Sequence, residues 1–201
     1  MDALILCGGE GTRIRHLLPE GTPKIMADIN GTPFARIFSA HLLESGFERL
    51  FFLAGHNSGL LARYVEDSEA PWRVIIEYDF LGTAGTIKNA ARWFNADLFW
   101  IFNGDTFCDV DYKAMLAYHG VTNSTITVAC DREFKHVGTF IATKKFVDLI
   151  PKVNGKVDMA EVFTLLGQRH EPVGWFMTDA PFYDMGSPEG LSVFRDYWKN
   201  V

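Results

Sequence analysis

The chain has 201 residues, 48% of them hydrophobic and 22% charged, with a formal net charge of -6. That length suits one domain with a sizeable core, and the acidic balance argues against a nucleic-acid partner, which is usually bound by basic proteins. No apolar run reaches membrane-spanning length. Asp2 and the lack of a basic stretch before the first apolar run argue against a secretory leader, and Cys7, Cys108 and Cys130 lack metal-ligand spacing and read as reduced thiols of a cytoplasmic protein.

The first expected element is a strand over 4–7, which runs into Gly8-Gly9-Glu10-Gly11-Thr12-Arg13, with Pro23-Lys24 further on. Glycines let successive N–H groups face an anion, and Arg13 and Lys24 supply cations suited to a triphosphate. A P-loop needs Gly-Lys-Ser/Thr after four residues, which is absent. The dinucleotide fingerprint needs a third glycine where Ile14 stands. A helix is expected over 33–45, with Phe34, Ile37, Phe38, His41 and Leu42 near one face. Strands over 50–53 and 74–77 flank a helix over 60–65, and Gly82-Thr83-Ala84-Gly85 reads as a turn opening a helix over 86–94. The unbroken apolar run over 98–102 predicts a strand buried on both faces, followed by Asn103-Gly104-Asp105. Trp93, Phe94, Phe99, Trp100 and Phe102 read as core, with a dimer interface as the alternative for any exposed part. The stretch over 131–136 is charged and reads as a loop. Ser187 and Pro188 are helix-start residues, so Asp184 stands just before a C-terminal helix. There is no internal repeat, low-complexity segment or interdomain linker.

Alternating strands and helices predict a mainly parallel sheet with helices on both faces. Ligands bind at the carboxyl ends of such strands, where the Gly8 loop, the Gly82 turn and Asn103-Gly104-Asp105 are expected to converge. Asp105, held at the rim by a rigid strand, could ligate Mg²⁺, which takes few carboxylates and completes its octahedron with phosphates and waters. Asp184 would make it a two-carboxylate site. Glu77 ends the third strand, where a carboxylate could accept from guanine N1–H and N2–H₂ together, a donor pair the other bases lack. A solvent-facing Glu77, like Asp79, is the alternative. His16, His41, His56, His119 and His170 show no ligand spacing.

Gly8-Gly9-x-Gly11-Thr12-Arg13, Pro23-Lys24, Leu81-Gly82-Thr83-Ala84-Gly85, Asn103-Gly104-Asp105 and Asp184-x-Gly186-x-Pro188-Glu189 occur in this order. Together they resemble the sugar-1-phosphate nucleotidyltransferases. The stretch over 25–34 brings the first 120 residues nearest to the guanylyltransferases of D-glycero-D-manno-heptose 1-phosphate and mannose 1-phosphate. The resemblance implies a Rossmann-like three-layer α/β/α fold with a mainly parallel mixed sheet, in one domain: a nucleotide-binding half over 1–120 and a shortened acceptor-binding half with the C-terminal helix over 121–201. It implies nucleotide contacts from Leu6, Cys7, Gly8, Gly9, Gly11, Thr12, Arg13, Glu77, Gly82, Thr83 and Gly104. Catalytic roles fall to Arg13, Lys24, Asp105 and Asp184, with Mg²⁺ on the two aspartates. The implied reaction is attack of a sugar phosphate oxygen on the α-phosphorus of an NTP, GTP being favoured, with release of pyrophosphate.

The chain departs from that family after residue 128. A Glu-Lys element that holds the sugar is missing in recognisable form, and Gly138 alone matches the strand that follows. Lys135 and His136, with Arg132 and Glu133, are candidate replacement acceptor contacts, or else a solvated turn. Two alternatives stay open: a cytidylyl- or uridylyltransferase with a smaller phospho- or phosphono-acceptor, and a catalytically silent nucleotide-sensing subunit. Homo-oligomerisation is also left open.

Overall fold

The computed structural model describes residues 1–55, 57–68, 70–94, 96–152 and 155–199; His56 lies outside the described residues. In chain order the elements are β1 (Asp2–Leu6), β2 (Asp28–Ile29), β3 (Thr32–Pro33), α1 (Phe34–Glu44), β4 (Arg49–Ala54), α2 (Gly59–Asp67), β5 (Arg73–Ile76), α3 (Gly82–Ala90), β6 (Leu98–Asn103), β7 (Thr106–Cys108), α4 (Tyr112–Thr122), β8 (Ile126–Cys130), β9 (His136–Thr143), α5 (Lys144–Leu149), α6 (Met159–Gln168), β10 (Val173–Met177), β11 (Phe182–Asp184) and α7 (Pro188–Trp198). Seven strands form one sheet in the order β10-β8-β9-β6-β1-β4-β5. All neighbours are parallel except β9, which runs antiparallel to β6 and to β8.

The sheet's pleat sorts the core. Ala3, Ile5, Phe52, Trp100 and Phe102 face one side, where they pack with α1, α2, α4 and α7. Leu4, Phe51, Leu53, Phe99 and Ile101 face the other, against α3, α5 and α6. Side chains alternate with period two along each strand, so a strand with helices on both faces must be apolar at every position, as 98–102 is. The outcome is the expected three-layer sandwich. No helix among the described residues is long and apolar enough to cross a membrane.

Two local expectations need correction. The helix expected over 86–94 begins at Gly82 and ends at Ala90. Its first-turn amides have no partner within the helix, but those of Ala84 and Gly85 donate to Val157 O at 3.0 and 3.1 Å. A contact from a distant segment thus stabilises an early helix start. Trp93, expected in the core, is 49% exposed, its ring lying beside the Arg92 guanidinium at 5.5 Å.

The chain's C-terminal part returns to the centre of the molecule. A two-stranded antiparallel ribbon sets Asp184 opposite Thr106, Tyr183 opposite Phe107 and Phe182 opposite Cys108. Ser187 caps α7 by accepting from Gly190 N at 3.1 Å, and Pro188 occupies its first turn, as the sequence predicts. Phe194 then anchors the helix, its ring 5.6 Å from Phe34 and 5.3 Å from Phe107. Phe194→Ala is expected to cost about 3–5 kcal/mol, the usual range for emptying a buried aromatic site. Guanidinium unfolding measures this, and an unchanged midpoint would mean that α7 is held by other contacts.

Candidate active site

The rim above β1, β4 and β6 holds a cleft of about 260 Å³. Of the expected nucleotide residues, Leu6, Cys7, Gly8, Gly9, Glu77, Gly82, Thr83 and Gly104 line it, together with Lys24 and Asp105. Gly11, Thr12 and Arg13 stand outside this lining. Gly11 has a left-handed backbone (φ +64°), and a Cβ there would fall 2.6 Å from Lys24 Cγ. Its bare backbone is therefore the surface along which the lysine stem lies. Lys24 itself is aimed by a 3-10 turn, Lys24–Met26, whose Ile25 is buried as an anchor.

Asp105 and Asp184 come together through the ribbon. Gly104 N donates to Leu6 O at 2.9 Å, fixing Asp105 at the end of β6, and Met185 N donates to Asp105 O at 2.8 Å. Asp184 Oδ1 accepts from Gly186 N at 2.8 Å. Gly186 marks the point of convergence. A Cβ there would lie 2.8 Å from Arg13 Nη2, 2.9 Å from Asp184 Oδ1 and 3.2 Å from Asp105 Oδ2. Any larger residue would fill the space between the two carboxylates and the guanidinium. Lys24 Nζ ion-pairs with Asp105 Oδ2 from the cleft side. Among the described residues no group of three His, Cys, Asp or Glu side chains gathers to hold a metal. Two hard carboxylate donors beside a bare backbone do fit an ion such as Mg²⁺, which needs only one or two protein carboxylates when substrate phosphates share it.

Glu77 is the cleft's second acid. Thr86 Oγ1 lies 2.8 Å from Oε1 and 2.7 Å from Oε2, and donates to the carboxylate. A Cβ on Gly8 would sit 3.0 Å from Oε1. Burial pushes the Glu77 pKa up, with the Thr86 hydrogen bond acting against it. The solvent-facing alternative is thereby ruled out for Glu77. Cys7 contributes backbone only, since its thiol donates into the sheet, to Leu53 O at 3.3 Å, and burial pushes its pKa up.

Sequence reasoning missed Thr86, Phe80 and Asp158, which also line the cleft. Thr86 was legible in principle, because it lies three residues after Thr83 on α3 and so shares its face. Asp158 was not, since only the docking of Val157 against α3 brings it near; it pairs with Lys156 at 2.8 Å.

A second cavity of about 370 Å³ shares Leu6, Thr83 and Asn103 with the cleft and continues it towards β8–β10. Of the candidate acceptor residues, only His136 lines it. Lys135 Nζ instead lies over the Phe182 ring at 5.3 Å. Gly138 packs against Asn103 and Thr106, where a Cβ would come within 3.2 and 3.0 Å of their Cβ atoms.

The carboxyl ends of the parallel strands thus hold a cleft lined by glycine-rich backbone, Lys24 and Asp105, with Asp184 and Arg13 gathered beside it at Gly186, and the rim of such a sheet is where α/β folds hold ligands. Residues 2–137 match the Nucleotidyl transferase family, and the chain belongs to it. It is 33% identical over 117 residues to D-glycero-alpha-D-manno-heptose 1-phosphate guanylyltransferase of Campylobacter jejuni, covering 57% of this chain and 52% of that protein. The enzyme of the same name from Aneurinibacillus thermoaerophilus is 32% identical over 145 residues, covering 70% of this chain and 63% of the relative. The chain thus spans roughly half to three-fifths of the length of these relatives. The crystal structure of HddC from Yersinia pseudotuberculosis superposes with a TM-score of 0.83 at 26% identity, covering 98% of this chain and 99% of that one. Its complex with GMP-PN gives a TM-score of 0.82.

Glu77→Gln keeps an acceptor for Thr86 and removes the half-buried charge. Because the folded state raises this pKa, ionisation at neutral pH destabilises the fold, and the group's stabilising contribution exists only below the ordinary glutamate range. Thermal unfolding of Glu77→Gln should therefore give a higher Tm than wild type at pH 7, and the gap should shrink towards pH 4. A lower Tm at pH 7 would mean that the carboxylate holds the fold together.

Proposed function

We propose that this protein transfers the guanylyl group of GTP to a sugar 1-phosphate, with Mg²⁺, giving a GDP-sugar and pyrophosphate. The observation that carries the reading is the gathering of Asp105, Asp184 and Arg13 around Gly186, beside Lys24 and the cleft. The names of the relatives, and the guanosine analogue bound by a structural neighbour, support the base and the acceptor. In this reading residues 1–120 chiefly hold the nucleotide and residues 121–201 the acceptor, with Asp184 reaching back. The supply of a nucleoside triphosphate suits a cytoplasmic setting.

An oxygen of the acceptor phosphate attacks the α-phosphorus in line. The bond from that phosphorus to the bridging oxygen breaks, and pyrophosphate leaves. The attacking group is already an anion, so no side chain has to remove a proton. What the protein supplies is alignment and charge. The Gly8–Gly9 amides bind phosphate oxygens. Lys24, on its stem along Gly11, moves from Asp105 to the approaching phosphates, whose repulsion grows towards the transition state. Arg13 balances the pyrophosphate side. Mg²⁺ held by Asp105 and Asp184 would neutralise the remaining phosphate charge. Glu77 accepts from the guanine N1–H and N2–H₂ edge, and its burial strengthens those bonds.

Asp105→Ala and Asp184→Ala should each lower pyrophosphate release by about 10²-fold or more, with unfolding transitions close to wild type. Near-normal rates at saturating Mg²⁺ would remove the metal assignment. Lys24→Ala should reduce kcat far more than it raises the KM for GTP, because its charge acts mainly in the transition state. Loss of GTP binding with normal kcat would place Lys24 in ground-state binding only. Glu77→Gln should cost about 1–3 kcal/mol in GTP use by setting a donor against a donor, narrowing the preference over UTP and CTP. A wild-type preference for UTP or CTP would transfer the site to the pyrimidine reading.

A further inference from the structure

The hairpin loop between β8 and β9 is built with unusual care for an exposed turn. Asp131 Oδ1 accepts from Glu133 N and from Lys135 N, both at 2.9 Å, and Asp131 N donates to Lys135 O at 2.9 Å. Arg132 grips Asp179 with two bonds of 2.7 and 2.8 Å. The product of this wiring is Phe134 in a left-handed backbone conformation, φ +59°. That conformation is a genuine outlier for a bulky residue and is held against a backbone cost. Yet the Phe134 ring is not buried for its trouble; it is 58% exposed. It stands 6.1 Å from Trp175, edge to face, at the cavity that continues the nucleotide cleft.

The lining of that cavity is chemically one-sided. Phe134, Phe140, Phe163 and Trp175 supply rings, Thr83, Asn103 and His136 supply the polar groups, and among the described residues no Asp, Glu, Lys or Arg lines it. Aromatic faces with a few hydrogen-bonding groups suit a neutral ring whose C–H face stacks while its hydroxyls find partners. A carboxylate or a primary ammonium would lose its hydration there with no opposite charge to compensate. A quaternary ammonium could rest on the rings, but no lining carboxylate balances it.

We propose that Phe134 and Trp175 form an aromatic wall on which the acceptor stacks, and that the acceptor is a sugar phosphate carrying no charge beyond its phosphate. The proposal rests on the nucleotidyl-transfer reading and adds the acceptor's chemistry and the residues that select it. Phe134 is a specificity residue: it lines the second cavity and not the cleft that holds Lys24 and Asp105.

The test uses the full chain and two variants. Phe134→Gly deletes the ring and also relieves the left-handed backbone, so its Tm should equal or exceed that of wild type. Trp175→Ala deletes the other ring. Heptose 1-phosphate, mannose 1-phosphate, glucuronic acid 1-phosphate, phosphoethanolamine and phosphocholine are offered with GTP and Mg²⁺. Pyrophosphate release and calorimetric binding are followed for each. The neutral sugar phosphates should be bound and used in preference to the charged acceptors. Phe134→Gly should raise the KM for the neutral acceptor about tenfold and leave the KM for GTP unchanged. An unchanged acceptor KM in both variants overturns the stacking wall, as does a preference for phosphocholine or another charged acceptor. Binding of GTP but of no sugar phosphate also overturns it, while leaving nucleotide use intact. Failure to bind or use any nucleotide would instead remove the nucleotidyl-transfer reading itself.

Discussion

The site depends on one short antiparallel pairing, three residues of β11 against three of β7. It carries Asp184 from near the end of the chain to the side of Asp105, which is already rigid at the end of β6. Two carboxylates brought together repel, Asp105 from a half-buried position and Asp184 from an exposed one. The structure answers with cations from both sides: Lys24 on Asp105, and the Arg13 guanidinium beside Asp184 and Asp105. The ribbon is too short to hold this arrangement by itself. Its support is α7, whose Phe194 and Leu191 are fully buried against α1 and β7. Packing energy remote from the chemistry thus sets the geometry of the charged groups.

The same rim treats its polar groups unequally. Cys7 turns its thiol into the sheet, where burial keeps it protonated, and leaves only backbone at the cleft. Glu77 stays at the cleft under Thr86, with burial opposing its ionisation. Among the described residues the Thr86 hydroxyl is the hydrogen-bond partner of this half-buried carboxylate. Such a group becomes useful once a ligand brings further donors to it.

The reversal of β9 shapes the second cavity. Because β9 is antiparallel to β6 and β8, its first residue, His136, lies at the rim where the parallel strands end. The hairpin 131–135 therefore overhangs the same rim as the Gly8 loop. The wall there consists largely of rings from β9, β10, α6 and the hairpin. The second cavity is walled by rings where the cleft carries Lys24, Glu77 and Asp105, and the two meet at Leu6, Thr83 and Asn103.

Much of this was legible in the chain. Apolar runs of the right length, broken by glycine-rich turns, imply a parallel sheet, and any such sheet puts its strand-end loops on one rim. The convergence of Gly8, Gly82, Asn103 and Asp105 follows from that rule, and the capping pair Ser187-Pro188 located Asp184 just ahead of its helix. Tertiary structure alone decided the rest. The early start of α3 required a carbonyl from Val157, and the exposure of Trp93 and the turning away of Lys135 followed from what happened to pack beside them. The left-handed Phe134 required the Asp131 hydrogen-bond net, which depends on backbone angles that composition does not encode. Local patterning reports which groups leave water and at what period. Which distant group each one meets is settled by the packing of helices and ribbons that no local signal specifies.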